Sequence, residues 1–215
     1  MRVIMEIREI KSTEKDVVKK VADIHIDTFK GFFLTFMGRG FLNHMYRSYC
    51  NHNGSGLLVA FDGENPVGFL AYSENMSGLY KHMIKTRLVQ FAWYSFGAFL
   101  RKPRIFMRLV RAFLKPSESK RKEEYVELSS LGVSPNTKRS GVGTALVDAL
   151  KAKVDFDKFE YITLETDATN NDAANRFYLK NGFKRVREYE TREHRRMFEY
   201  RFCFSVKASM DKVMH

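Results

Sequence analysis

Apolar residues recur along this chain with two periods, and the alternation between them divides it into strands and helices. Residues 2–10 alternate as a strand. Thr13-Glu-Lys-Asp16 has the spacing of a capping box, and Val17, Val18, Val21, Ala22, Ile24 and His25 then form a helix face. The stretch from Phe29 to Leu42 is rich in aromatics and breaks at Gly38-Arg-Gly40, after which a second helix is expected over residues 41–50. Leu57-Leu-Val-Ala-Phe61, the turn Asp62-Gly-Glu-Asn65 and Pro66-Val-Gly-Phe-Leu-Ala-Tyr72 predict a β-hairpin. Further on, the pattern predicts a strand over 125–133, a helix over 141–154, a strand over 160–166, a helix over 171–181, and strands over 183–191 and 196–205.

Between these halves lies a segment of different character, residues 76–122. It carries twelve Lys and Arg against the single acid Glu118, a net +11 of the chain's +12, so the remainder is almost neutral. Leu88 to Leu100 is an apolar, aromatic run, and Ile105, Phe106, Leu109, Val110, Phe113 and Leu114 follow at helical intervals. The run is short of the roughly 20 residues that span a bilayer. Two or three helices are predicted, with Pro103 and Pro116 as start and stop signals.

At 215 residues with 44% hydrophobic content, the chain can bury a core as one domain, residues 1–215, with 76–122 as a helical insertion. Cys50 and Cys203 are far apart, outside any C-x-x-C pair, and early charges interrupt a secretory apolar region, so a reduced cytoplasmic setting is expected. The six histidines show no metal-ligand spacing, and His25 and His44 read as core-edge or solvated residues. No metal is expected. The positive charge comes without a nucleic-acid-binding motif, so no nucleic-acid partner is expected.

The most specific chemistry lies where the 125–133 strand meets its helix. Asn136 and Thr137 form a turn, Lys138 and Arg139 supply charge, and Gly141 and Gly143 remove the Cβ atoms that would hold a phosphate away from backbone amides. The first turn of the following helix offers unpaired N–H donors and the positive dipole end. A P-loop is excluded by spacing, and a dinucleotide fingerprint by Leu146 at its third glycine position. Lys138-x-x-Gly141-x-Gly143 resembles the acyl-CoA pyrophosphate motif of the GNAT superfamily of N-acyltransferases, with lysine where Gln or Arg is usual. A second match follows downstream: Asn171, Ala174, the pair Phe177 and Tyr178, then Gly182-Phe183.

The resemblance implies a mixed α/β (α+β) fold: a central, mostly antiparallel sheet, splayed between its fourth and fifth strands and flanked by helices. It implies that Leu131, Gly132 and Val133 present backbone groups to the pantetheine arm of acetyl-CoA, the cosubstrate. Lys138, Arg139, Ser140, Gly141, Val142, Gly143 and Thr144 would hold the pyrophosphate. Asn171, with Ala174 beside it in the motif, would hold the pantetheine arm or cap the helix. It also implies that Tyr178 protonates the departing thiolate; the other reading is a core aromatic paired with Phe177. Glu127, inside an apolar strand, is the candidate base for the acceptor amine; otherwise it faces solvent or pairs with a basic side chain.

The activity implied is transfer of an acetyl group to the primary amine of a small acceptor, with an amino sugar or sugar nucleotide preferred. The alternatives are a protein or peptide amine and a non-catalytic acyl-CoA-binding module. Phe32, Phe33, Phe36, Trp93 and Tyr94 are candidates for the acceptor pocket. The basic insertion has three functional readings besides a solvated helical face: a lid for an anionic acceptor, contact with an anionic membrane (ranked below the acceptor), or a subunit interface. A monomer or homodimer is expected.

Overall fold

The computed structural model describes residues 5–101, 103, 123–137, 141–191 and 194–204, apart from the side chains of Phe33, Ala98 and Arg101. The chain divides into two compact units, residues 1–121 with 128–152, and residues 122–127 with 153–215.

The first unit begins with β1 (Met5–Glu9), α1 (Lys15–Thr28), α2 (Phe33–Met37) and α3 (Arg39–Asn51). The hairpin β2 (Ser55–Asp62) and β3 (Asn65–Ser73) turns at Gly63, whose φ of 61° lies in the left-handed region. β1 pairs antiparallel with β2 from Met5↔Asp62 to Glu9↔Leu58, and β2 with β3 from Ser55↔Ser73 to Asp62↔Asn65. The interior of β2 is buried on both faces, which is why it reads as an unbroken apolar run rather than an alternation. On one face Leu57, Val59, Phe69 and Ala71 join Val18, Val21 and Ala22 of α1 and Leu42, Met45 and Tyr46 of α3 in the core. On the other lies α5 (Val142–Lys153): a Cβ on Gly68 of β3 would come within 2.8 Å of Val142 and 3.3 Å of Leu146. Gly68 therefore permits the close approach of that helix. Leu146 and Leu150 are fully buried there, each worth roughly 1.5–3 kcal/mol of transfer free energy.

The expected capping box is not formed. Helix α1 starts after Glu14 without a side-chain cap, and the Glu14 carboxylate instead accepts from the Lys11 amide at 2.9 Å and from Arg8. Glu14 thus closes the turn that precedes the helix, from Lys11 to Glu14, rather than the helix's first turn.

The insertion begins as α4 (Met76–Arg101), two helical arms meeting at Arg87, where φ −141° and ψ 17° leave the helical region. Leu79 and Met83 on the first arm enter the core. The expected helical pattern from Ile105 to Leu114 lies outside the described residues. No helix among the described residues is long and apolar enough to cross a membrane.

Strand β4 (Tyr125–Val133) begins in the second unit and continues in the first. The second unit also holds β5 (Tyr161–Asp167), α6 (Asp172–Lys180), β6 (Lys184–Glu190) and β7 (Arg196–Phe202). β4 and β5 run parallel, paired from Tyr125↔Tyr161 to Glu127↔Thr163. β5 pairs antiparallel with β7, and β7 with β6. The strand order is β1-β2-β3-β4-β5-β7-β6, a mixed, mostly antiparallel sheet of seven strands. β6 is mostly exposed, and its charged residues Lys184, Arg185, Arg187, Glu188 and Glu190 discourage further strand pairing.

Candidate active site

The first unit carries the turn that leads from β4 into α5. Val133 is pinned through its carbonyl, which accepts from the Thr28 hydroxyl at 3.1 Å, and the Ser134 amide donates to Val67 O at 2.8 Å. The chain then turns: the Thr137 amide donates to Ser134 O, and the Asn136 amide to the Ser134 hydroxyl. Lys138, Arg139 and Ser140 lie outside the described residues. Gly141 follows at φ 83°, with open space around the position a Cβ would take. Glycine is required there by conformation rather than by crowding.

The Ala145 amide donates to Gly141 O at 2.9 Å, so the amides of Val142, Gly143 and Thr144 precede the helical ladder. No acidic residue sits in that first turn to occupy the positive dipole end. Val142 and Gly143 are buried, and Thr144 is half-buried. Gly141→Ala is expected to raise KM for acetyl-CoA about tenfold, because a left-handed alanine costs on the order of 1 kcal/mol or more and the turn would relax away from it. Steady-state kinetics against acetyl-CoA check this; an unchanged KM would detach the turn from donor binding.

Gly132 of β4 is buried, and a Cβ on it would meet the Phe69 ring at 2.7 Å and the Phe29 ring at 3.3 Å. Phe32 packs edge-on against Phe29 at 5.8 Å. Phe29 of the N-terminal stretch thus lies beside Gly132, with Phe32 edge-on behind it, and half-buried Leu131 and Val133 flank the glycine. Phe36 is half-buried at the edge of the core, and the Phe33 side chain lies outside the described set. Trp93 and Tyr94 diverge. Tyr94 lies over Gly40 and 5.4 Å from the His44 ring, whereas Trp93 is 75% exposed on another face of the helix. They do not line one pocket, because adjacent helical residues point about 100° apart.

A cationic group missed by sequence reading joins α3 to the bend in α4. Arg87 Nη1 lies 3.1 Å from His44 Nδ1, and Arg47 is one turn along α3 from His44. The Nε atoms of Arg47 and Arg87 are buried without hydrogen-bond partners. No ion pair with an acid is formed by either guanidinium among the described residues. Burial first, then the charges of Arg87 and Arg47, pull the His44 pKa below its usual value. Burial and Arg47 do the same to Arg87. The bend falls at Arg87, just before the apolar run from Leu88 to Leu100, and helical periodicity in the sequence does not locate it.

The second unit carries the other set. Glu127 is half-buried between buried Val126 and Leu128, opposite Thr163. It thus lies on the partly open face of β4 rather than in its apolar one. Asn171 precedes α6, but its side chain makes no cap; its amide donates to the Thr166 hydroxyl of β5. The cap reading is therefore set aside. Ala174 is half-buried one turn on.

Tyr178 packs against Phe177, Phe183 and Tyr200 at ring distances of 5.2, 5.8 and 6.0 Å. Burial pushes its phenol up to about 12. Its ring is held by these three aromatics, yet its hydroxyl has no hydrogen-bond partner among the described residues. Asn175, one turn before it, is the positioning residue that sequence reading missed: its amide donates to Asp167 O at 3.1 Å, and its carbonyl accepts from the Tyr200 hydroxyl at 3.0 Å. Buried Asn175 thus ties α6 to β5 and β7 and sets the height of Tyr178 on the helix. Helix α6 stops at Gly182, φ 81°, after which the Phe183 amide donates to Tyr178 O.

Cys50 and Cys203 are unpaired, and burial pushes the Cys50 thiol up to about 12. A thiol nucleophile is not part of either set.

The family model described as the acetyltransferase (GNAT) family matches residues 20–183. The chain belongs to that family of acyl-CoA-dependent acetyltransferases, and it is a transferase. None of the curated proteins matches it in sequence. Among solved structures it is similar to a GNAT-family acetyltransferase from Bacillus cereus, with 13% identity, TM-score 0.56, and 93% of this chain and 97% of that one covered. It is similar to the ribosomal-protein-S18-alanine N-acetyltransferase from Escherichia coli, with 14% identity, TM-score 0.55, and coverage of 94% and 96%. It is also similar to NAA60 from Arabidopsis thaliana in complex with acetyl-CoA, with 17% identity, TM-score 0.54, and coverage of 94% and 99%. At these identities the likeness is one of fold.

Proposed function

We propose that this protein is a cytoplasmic N-acetyltransferase that moves the acetyl group of acetyl-CoA to the primary amine of a small acceptor, an amino sugar or sugar nucleotide, with one bearing phosphate or carboxylate favoured, within one catalytic domain spanning residues 1–215. The family match supports the single domain, since residues 20–183 draw on both compact units. Transfer is direct. The amine nitrogen attacks the thioester carbonyl, the C–N bond forms, the C–S bond breaks, and CoA leaves as its thiolate. Glu127 takes the amine proton, directly or through water, and Tyr178 gives a proton to the sulfur. Amides from Gly141 to Thr144, with Lys138, Arg139 and Ser140, hold the pyrophosphate. Leu131, Gly132, Val133 and Asn171 hold the pantetheine arm, beside Ala174. No metal takes part.

The observation that carries the acceptor class is the pair Arg47 and Arg87 beside His44, two guanidinium groups with buried, unpartnered Nε atoms. Arginine in that state suits a phosphate or carboxylate. Phe29 beside Gly132, with Phe32 packed edge-on against it, supplies an apolar wall for a compact acceptor.

A thiol-release assay with acetyl-CoA against amino sugars, sugar nucleotides, polyamines, amino acids and peptides tests this. Amines bearing phosphate or carboxylate are expected to turn over best. Glu127→Gln should lower kcat about tenfold or more. Arg47→Met and Arg87→Met should each raise KM for the anionic acceptor about tenfold, the worth of one charged hydrogen bond, with KM for acetyl-CoA unchanged. Preference for peptides would move the acceptor to a protein amine. Acetyl-CoA binding without thiol release from any amine would leave a binding module in place of an enzyme.

A further inference from the structure

The second arm of α4 leaves an apolar stripe uncovered. Val89, Trp93, Phe96 and Leu100 fall at i, i+4, i+7 and i+11, one face of a helix, and are 78, 75, 56 and 64% exposed. The same arm already spends a different apolar face on the fold: Phe91 packs against Phe41 at 4.8 Å, Tyr94 against His44, and Ser95 is buried. An arm that is apolar on both faces and open on one calls for a second apolar medium. Helix α4 contains no acidic residue, while Lys81 and Lys85 are exposed along it and Arg87 stands at its bend. In sequence, Arg101, Lys102 and Arg104 follow the stripe at once, within a segment of net charge +11.

We propose that this arm is an interfacial anchor, its Val89-Trp93-Phe96-Leu100 stripe lying in the headgroup boundary of an anionic lipid bilayer, drawn there by the net positive charge that the segment carries in sequence. The charge chooses among occupants. A second copy of the chain would bring a second +11 segment against the first, and like charges oppose that association. An anionic membrane offers both halves of the complement, an apolar boundary for the stripe and negative charge for its flanks. Trp93 at the stripe's centre suits the interface, where an amphipathic ring is favoured. The arm lies on the surface rather than across it, since no described helix is long and apolar enough to span. This proposal goes beyond the proposed chemistry and does not depend on the acceptor.

Trp93 is the chain's only tryptophan, so its emission reports on the stripe directly. The full chain at low concentration is titrated with vesicles of phosphatidylcholine alone and of equimolar phosphatidylcholine and phosphatidylglycerol, and binding is read by co-sedimentation and Trp93 emission. The expected result is co-sedimentation with the anionic vesicles and a blue shift, both weakened by salt and weak on neutral vesicles. The double variant Val89→Glu with Leu100→Glu, at exposed positions and with Trp93 retained, should bind at least about tenfold more weakly while its thermal unfolding is unchanged.

Emission already blue in the dilute protein without vesicles would mean that the chain's own residues cover the stripe, and would overturn the proposal. A blue shift that grows with protein concentration alone, accompanied by a dimer in sedimentation, would assign the stripe to a second copy and overturn it too. Binding to anionic vesicles with no change in Trp93 emission and no loss in the double variant would reduce the contact to charge and remove the anchor.

Discussion

Tyr178→Phe is expected to lower kcat at least about tenfold while the affinity for CoA stays within about twofold, the signature of a group that matters when the thiolate leaves rather than when the donor binds. The ring keeps its packing against Phe177, Phe183 and Tyr200 in this variant, so the fold should be undisturbed. Only the hydroxyl is removed, and it has no hydrogen-bond partner among the described residues, so no structural bond is lost with it. With burial pushing the phenol up to about 12, the group stays protonated across the working pH range and cannot set the alkaline limb of the rate profile. Stopped-time thiol release and calorimetric titration with CoA separate the two quantities. Wild-type turnover in Tyr178→Phe would return Tyr178 to a core aromatic.

The second large effect is on stability in acid. His25 is 3% exposed, its Nδ1 is 2.6 Å from the Tyr46 hydroxyl, and its Nε2 is buried without a partner. Burial lowers its pKa to about 4 from the usual 6.5, so the folded state holds the ring neutral where the unfolded chain would protonate it. The unfolded chain therefore binds more protons between those values, and stability falls as pH drops through that window. The loss approaches about 3 kcal/mol at pH 4, two to three pK units at ~1.4 kcal/mol each. Other groups tilt the same way, among them Glu14, lowered by the Lys11 amide. Urea unfolding at pH 7 and 4.5 in wild type and His25→Phe isolates the histidine's share.

Phe29 and Phe69 already flank the ring, and a phenyl group suits that setting. The variant leaves the Tyr46 hydroxyl with only Ser130 at 3.4 Å, costing about 1–2 kcal/mol at pH 7, but its acid slope should be shallower. Equal slopes would remove His25 from the account. Ser130 lies on β4 just before Leu131, so the buried pair also steadies the strand assigned to the pantetheine arm.

Legibility followed locality. The β2–β3 hairpin was readable because a two-residue turn and two apolar runs are local signals, and the residues paired across it are close in sequence. Gly141 stood out in the sequence for its missing Cβ beside a phosphate, whereas its left-handed φ of 83° appears only in the structure. Of the two roles offered for Asn171, the helix cap is not formed, because its side chain turns to Thr166 of the neighbouring strand, a partner that local sequence does not show. Asn175 was missed altogether: a polar residue in an amphipathic helix looks solvated until β5 and β7 supply its two partners. Trp93 and Tyr94 were grouped in one acceptor pocket but lie on different faces of α4, since aromatic content says nothing of which helix face turns inward.

The sequence by itself determined the kind of machine: strand, glycine-bearing turn and helix at the donor end, then Asn, Tyr and Gly at the spacing of the GNAT motifs. Those are short-range patterns in which each residue's own conformational freedom or charge carries the meaning. Only the tertiary structure decided that β7 enters between β5 and β6, that Arg47 and Arg87 come together beside His44, and that one stripe of α4 stays bare. Each of those depends on contacts between residues far apart along the chain, where burial and pairing energies, rather than local propensity, choose the arrangement.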